Sequence, residues 1–523
     1  MSDKPTMGVE VNIRSKSSGS DTAKLSTPQS NAPETLADSP FCISVMGDFS
    51  GNLNHNDSLT GKTPKARLIE IDRDNFEDVM AGFKISLNLN LSDNENIHIE
   101  LKELDDFHPD ELYDKLESFS KLRSLHRRLK SKSSFSEAAS EIQGWISVSK
   151  NSNDKPSVDP EINTNLNSEI PTDNLLDSIL GSQQTKTANN SAAEATHIDK
   201  LIKSIVAPYV EPATDPRQNE MLEIVDKATE SHMRDILHHK DFQAMEAIWQ
   251  SVYFLVKRLE TGAKLKIFLL DITKQELQQD LAVDDITSSS LYKLFCDPSE
   301  GDKPWSLLLG NYSFTDSIDD ILSLASIGNI AQKANAPFIA AANEKLTGCD
   351  ALSETPDYED WNYTVSEGVS KAWLLLRQSP VAQYLGLALP RFLLRLPYGK
   401  KSKPIDAFSF EEIADINDHE SYLWGNPAFI KAECMARNFN DNGWNMQLNN
   451  VFQTDNLPVH YYEDEGETVN KPVAEIMLTE KGGEIMSNNG LMSLWSVRNM
   501  DCIRSSDYRS IHENTKLLTG RWS

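Results

Sequence analysis

The chain has 523 residues, 39% hydrophobic and 25% charged, which excludes a wholly disordered or fibrous protein and favours two or three folded units. Its 79 acidic against 51 basic residues give a formal net charge of -28, which repels nucleic-acid phosphates and anionic lipid headgroups unless basic side chains are segregated into a patch. Five scattered cysteines, Cys42, Cys296, Cys349, Cys434 and Cys502, include no C-x-x-C pair; they point to a reducing compartment rather than a disulfide framework or zinc site.

Residues 1–38 are rich in Ser, Thr, Asn, Asp and Pro, a composition that cannot bury enough apolar surface to offset its ordering entropy. A disordered tail is expected there. The N-terminus carries no apolar leader, and no run reaches the roughly 18 to 20 apolar residues that span a bilayer. The expectation is a cytoplasmic protein without membrane insertion.

From Phe41 the texture changes. FCISVMGDF is a short apolar run, and ARLIEID (66–72) and NIHIELKEL (96–104) alternate, predicting three strands. Between them, Phe76, Val79, Met80 and Phe83 lie on one side of a helix over 73–83. His108-Pro109-Asp110 opens a longer helix, in which Leu112, Leu116, Phe119, Leu122, Leu125 and Leu129 recur at steps of three and four. A small α/β domain over 39–147 is predicted.

Residues 148–197 return to a polar, Asn- and Ser-rich composition, which reads as a disordered linker. An island at 173–181 interrupts it: Leu175, Leu176, Ile179 and Leu180, with Asp173 in front and Gly181 behind, suit a short helix. A second domain, 198–523, opens with a long helical pattern over 220–260 broken near His238-His239-Lys240-Asp241. Then follow the strand LKIFLLDI, a capping box at Thr273 and Glu276, WSLLLGNYSF, a helix over 316–335, APFIAAA and YLGLALPRFLLRL. Such apolar runs predict strands buried on both faces, hence a largely parallel sheet flanked by helices.

No chemistry is signalled. Gly61-Lys62-Thr63 resembles the end of a phosphate loop, but Asn56 stands where the first glycine is needed and Pro64 follows. No G-x-G-x-x-G follows a strand, and Ser313 lacks the second glycine of a nucleophile elbow. Adjacent His238 and His239 point about 100° apart on a helix, the wrong spacing for one metal. Asp105-Asp106 and Glu411-Glu412 read as caps and solvated faces, as does the basic run 121–130. Tyr422 to Pro427 and Trp495 read equally as interface anchors or core. No catalytic residue, cofactor or metal is expected.

Two segments, Ile71-Asp72-Arg73-Asp74-Asn75-Phe76-Glu77-Asp78-Val79-Met80 and Leu104-Asp105-Asp106-Phe107-His108-Pro109-Asp110, resemble the small subunit of type VI secretion contractile sheaths. The second half is similar to the large subunit at Arg234 to His239, Asp241 to Glu246, Trp249, Leu259 to Gly262, Pro304-Trp305, Gly310 to Phe314, Ala336 to Phe338, Gly348 to Asp350, Leu385 to Gly399 and Tyr422 to Ala428. The resemblance implies a fusion: two α/β domains of the contractile tail-sheath type joined by a disordered linker.

That family forms a heterodimer which polymerises around an inner tube, contracts, and is recycled by an AAA+ unfoldase. The implied partners are therefore other sheath-type subunits or baseplate proteins, an inner tube protein and an AAA+ unfoldase, with no nucleic acid. The resemblance further implies that Leu175, Leu176, Ile179 and Leu180 form a recognition helix for the unfoldase. Family large subunits continue beyond the region matching Leu491 to Val497 into strands that pair with neighbours, whereas this chain stops at Ser523. An accessory, capping or baseplate-linked role is the alternative, with an α/β enzyme or nucleotide-binding protein a third.

Overall fold

The computed structural model describes residues 39–52, 67–91, 95–131, 134–150, 218–297, 304–464, 466–514 and 516–523. The island at 173–181 and the Gly61-Lys62-Thr63 segment lie outside these residues.

In the first stretch, β1 (Phe41–Gly47) and β2 (Leu68–Ile71) precede α1 (Phe76–Phe83), the hairpin of β3 (Ile85–Leu91) and β4 (Glu95–Leu101), and helices α2 (Pro109–Lys115), α3 (Glu117–Lys130) and α4 (Phe135–Lys150). The second stretch begins with α5 (Gln218–Leu237) and α6 (Lys240–Arg258). It continues through β5 (Leu265–Asp271), α7 (Lys274–Leu281), α8 (Ser290–Cys296), β6 (Trp305–Phe314), α9 (Ile318–Ala334), β7 (Phe338–Ala342), α10 (Glu367–Gln378) and β8 (Leu385–Leu389). The remainder holds β9 (Phe392–Leu393), β10 (Trp424–Gly425), α11 (Ala428–Asn442), β11 (Phe452–Thr454), β12 (Tyr461–Asp464), β13 (Glu467–Asn470), α12 (Glu480–Asn488), β14 (Leu491–Ser496) and β15 (Ile503–Ser505).

Among the described residues, nine strands form one mixed sheet in the order β11-β15-β14-β8-β7-β6-β1-β5-β2. The run from β14 to β5 is parallel throughout. Antiparallel β2 closes one edge, and antiparallel β15 and β11 the other. Side chains alternate across the sheet. Phe41, Ile43, Val45, Leu265, Ile267, Leu269, Leu307 and Leu309 enter a core shared with α1, α3, α5, α6 and α11. Cys42, Met46, Phe268, Leu270 and Leu308 enter a second core under α7, α8, α9 and α12. Burial on both faces explains why FCISVMG and LKIFLLD are almost continuously apolar.

Several local expectations hold. His239 separates α5 from α6, its ring accepting from the Asp241 N–H at 3.3 Å. Thr273 and Glu276 form the reciprocal capping box of α7. Others need correction. The helix expected from His108 is two helices, because Leu116 adopts an extended conformation between them. NIHIELKEL does form a strand as expected, β4, but an additional strand encoded by the alternating ISLNLNL, β3, pairs with it off the main sheet. YLGLALPRFLLRL is two strands in different sheets, broken at Pro390, with β8 in the main sheet and β9 paired with β10.

The two stretches meet inside this one sheet. Strand β1 lies between β5 and β6, with Phe41 opposite Leu265 and Cys42 opposite Trp305.

Candidate functional site: the seam between the two stretches

The two stretches are joined by the pairings of β1 and by the side-chain contacts around them. Backbone pairing continues past the strands: Phe41 N–H donates to Lys264 O at 2.7 Å and Ile272 N–H to Gly47 O at 2.9 Å. Beyond β1 the chain turns onto Asp271, whose carboxylate accepts from Phe49 N–H at 2.8 Å and Ser50 Oγ at 2.6 Å. Gly47 lies in close packing, where a Cβ would meet Ile248 Cδ1 at 2.5 Å and Asn311 Cβ at 3.2 Å and displace them.

Side chains that carry the small-subunit resemblance meet those that carry the large-subunit one. Trp249, fully buried on α6, has the rings of Phe49, Phe76 and Phe83 at 5.6, 5.8 and 5.4 Å, all edge-on or tilted, arrangements that favour aromatic pairs. Phe107 packs edge-on against Phe242 at 5.4 Å, and His108 against Tyr398 at 5.0 Å. The Asp110 carboxylate accepts from Asp406 N–H at 3.1 Å and Ala407 N–H at 2.8 Å. Phe119 of α3 packs on buried His232 of α5, whose ring nitrogen pKa is pushed down to about 4 by burial.

Beneath the Tyr398 contact lies a buried ionic group. The Arg395 guanidinium forks onto Glu246 at 2.6 and 3.1 Å and onto Glu412 at 2.8 and 2.9 Å. Glu412 also accepts from Tyr398 N–H at 2.7 Å. All three side chains are buried. Burial alone would lower the Arg395 pKa, but the two carboxylates hold it well above its ordinary value, so it stays charged. Lys403, 4.7 Å over the Tyr398 ring, supplies a second positive charge beside the two carboxylates.

A second cluster tests for metal binding. Ligand atoms of His419, Glu420 and Glu475 lie within 4.8 Å of one another. The Arg391 guanidinium occupies that space, bonding Glu475 at 2.5 and 3.1 Å and Glu420 at 2.7 and 3.1 Å. Burial would raise the Glu475 pKa, but hydrogen bonds from His419 and Arg391 outweigh it and hold Glu475 at about 2. The arrangement is a satisfied ion pair, and its donors are committed.

A third buried charge, Lys431 on α11, has no carboxylate partner among the described residues; its ammonium donates to Ser506 O at 2.8 Å and Ser506 Oγ at 3.3 Å. Burial lowers its pKa to about 7.

Leu175, Leu176, Ile179 and Leu180 lie outside the described residues, so the structure brings nothing to them. His238 and His239 sit at the α5–α6 junction with different partners, Ser421 and Asp241. Glu412 is no solvated carboxylate, contrary to expectation: it is buried because Arg395 takes it inward. Asp106 is buried too, but it caps as expected: its carboxylate accepts from the N–H groups of Lys102 and Glu103 at the turn Leu104–Phe107 and is bonded by Lys115. The basic run on α3 is a partnered helix face, with Arg128 on Glu141 and His126 on Asp226. Tyr422 and Trp424 are buried, so they are core rather than exposed anchors. The ionic group was missed, though Glu246 carries a signal: it falls on the apolar stripe of Phe242, Met245, Trp249 and Val252, where a carboxylate needs a buried partner.

Comparison with known proteins agrees with this geometry. The family described as "EvpB/VC_A0108, tail sheath N-terminal domain" matches residues 219–512, just over half of the chain. The family described as "Type VI secretion system, VipA, VC_A0107 or Hcp2" matches residues 27–147. A type VI secretion system sheath protein, TssC1 of Pseudomonas aeruginosa, is 33% identical over 276 residues, covering 51% of this chain and 55% of that protein. The chain thus spans about half the length of that relative. With one sheath family matched by each stretch, and the matched residues meeting across the seam, the chain belongs to the type VI secretion tail-sheath family.

Proposed function

We propose that this chain is a structural subunit of a type VI secretion contractile sheath, or of a sheath-associated assembly, in which stretches 39–147 and 198–523 are the small and large sheath units fused through 148–197. The observation that carries the reading is the position of β1: a strand from the small-unit stretch completes the centre of the large-unit sheet. Two partners built this way cannot act separately, and fusion keeps them at high effective concentration. The protein acts by assembly rather than catalysis, with energy held in the geometry of subunit contacts.

Its partners are other sheath-type subunits or baseplate proteins and an inner tube protein. The main sheet ends at β2 and β11, edges onto which a neighbour's strand can add. An AAA+ unfoldase engages Leu175, Leu176, Ile179 and Leu180, whose i, i+1, i+4, i+5 spacing gathers them on one helical face. No helix among the described residues is long and apolar enough to cross a membrane, consistent with work in the cytoplasm. Electron microscopy of the purified protein, alone and with its cognate tube and baseplate proteins, tests the reading. Helical tubes or their caps are expected; particles that stay single under every combination would refute it.

A further inference from the structure

Among the described residues β11 pairs only with β15, Phe452 opposite Ser505, Gln453 opposite Arg504 and Thr454 opposite Ile503. Which of its backbone groups point outward follows from the other neighbour of β15. Ser506 N–H donates to Ser493 O at 3.1 Å, and Trp495 stands opposite Arg504. Antiparallel alternation then turns the N–H and C=O of Arg504 towards β14, and those of Ile503 and Ser505 towards β11. Phe452 and Thr454 therefore direct their backbone groups inward. Gln453 presents its N–H and C=O to the open side, and Asp455, two residues on, faces the same way.

Such an edge is a template for another strand, and Val451 beside it is 67% exposed. The outward carbonyls are already taken. The guanidinium of Arg437 on α11 donates to Gln453 O at 2.6 Å, and that of Arg258, the last residue of α6, donates to Asp455 O at 2.8 Å and Asn456 O at 2.9 Å. Both arginines are held from behind. Arg437 reaches the buried Glu433 carboxylate at 3.4 Å, Arg258 lies 4.7 Å over the Phe254 ring, and Glu433 attracts both guanidiniums. Hydrogen bonds from a charged donor are stronger than those of a neutral backbone N–H, so a strand arriving at this edge offers less than it must displace.

We propose that Arg437 and Arg258 latch β11, closing it to a strand of a second copy of this chain. The latch narrows the sheath reading, on which it rests for the presence of neighbouring copies: β11 takes a strand only after the arginines withdraw. The pairing it prevents is defined. Two β11 edges meeting antiparallel about a two-fold axis at Gln453 would exchange both hydrogen bonds between the two Gln453 residues, and would set Val451 of one copy opposite Asp455 of the other.

The test mixes full-length chains carrying Val451→Cys with chains carrying Asp455→Cys under mild oxidation. Cys296, the one native cysteine that is not buried, is replaced by serine throughout. With both arginines in place, the mixed disulfide should form no faster than the disulfide between two Val451→Cys chains. Arg258→Gln with Arg437→Gln in both chains should speed the mixed disulfide about tenfold, the factor to which about 1.4 kcal/mol corresponds. Adding Gln453→Pro should return it to the starting rate, because proline removes the outward N–H and leaves the pairing with β15 untouched. General loosening of the fold would not be undone in this way. Should Arg437→Gln unfold the chain, Arg258→Gln alone, which frees Asp455 O, should still give a smaller rise that Gln453→Pro cancels.

A rate indifferent to the arginines, or a rise that survives Gln453→Pro, would overturn the latch. Electron microscopy of the same chains with the tube and baseplate proteins judges the sheath reading separately. Tubes or caps without an arginine-dependent cross-link leave that reading standing and sink the latch. A cross-link that follows the arginines and the proline, from chains that stay single under every combination, sustains the latch and refutes the sheath reading.

Discussion

The indole N–H of Trp249 donates to the carbonyl oxygen of Phe49 at 3.1 Å, a buried hydrogen bond between residues 200 positions apart. It ties the loop leaving β1 to the middle of α6 and fixes the ring against which Phe76 and Phe83 pack.

Replacing that ring should therefore loosen the two stretches from each other. Trp249→Ala removes a fully buried side chain and should cost about 3 to 5 kcal/mol. Trp249→Phe keeps much of the packing and loses the hydrogen bond, a smaller effect of about 1 to 3 kcal/mol for the unpaired Phe49 carbonyl and the lost contacts. Urea unfolding followed by far-UV circular dichroism reads both; equal midpoints for wild type and Trp249→Ala would show that the seam does not depend on this residue.

The ionic group under Tyr398 predicts a different ordering. Arg395→Met leaves Glu246 and Glu412 buried side by side with no hydrogen-bonded counter-charge and only Lys403 nearby, a loss of about 3 to 5 kcal/mol. Arg395→Lys keeps the charge but cannot form two planar forks, so it should recover only part of that. A lysine variant as stable as wild type would mean that charge alone, not fork geometry, joins α6 to the 395–412 region.

Part of this was legible in the sequence. An unbroken apolar run such as FCISVMG declares a strand buried on both faces, and Thr273 with Glu276 declares a helix start, because the relevant physics is local. The place of β1 between β5 and β6 was not legible, since nothing near Phe41 states that Leu265 is its partner. The ionic group was hidden for the same reason: Glu246, Arg395 and Glu412 come from three separate segments. What the resemblance added was the list of segments that meet, and the contacts of Trp249, Phe107 and His108 show why those segments matter to folding.

If β1 belongs to the large-unit sheet, separating the stretches should expose both. A fragment of residues 198–523 expressed alone lacks the strand between β5 and β6 and should be largely insoluble. Co-expression with 39–147 should restore a soluble pair that survives gel filtration at micromolar concentration. A soluble, monomeric 198–523 fragment indifferent to its counterpart would contradict the shared-sheet reading.

The broken phosphate loop predicts the absence of nucleotide chemistry. Purified protein should hydrolyse neither ATP nor GTP above the buffer rate. Turnover that disappears with Lys62→Ala would overturn the expectation.

Lys431 gives a stability that depends on pH in a defined direction. In the fold, burial lowers its pKa to about 7 from the ordinary 10.5, and among the described residues its ammonium has only the Ser506 carbonyl and hydroxyl as hydrogen-bond acceptors. The titratable groups that face it are Cys434 on α11 and Asp507 and Tyr508 beyond β15. Glu433 is engaged by Thr454 at 2.9 Å and by Arg437 at 3.4 Å, so it is not free to neutralise the lysine. Between about pH 7 and 10.5 the unfolded chain binds the proton and the folded chain does not, so stability rises with pH by up to about 1.4 kcal/mol per unit. Below about pH 7 both states are protonated, and this contribution becomes flat. Lys431→Met removes the ionisation, so its stability should exceed that of wild type near neutrality and the difference should shrink as pH rises towards 10. Taking the difference between the two proteins at each pH cancels the tyrosines and cysteines that titrate in the same window. Urea midpoints measured at half-unit intervals from pH 6 to 10 provide the check, and a difference independent of pH would show that Lys431 keeps its proton in the fold.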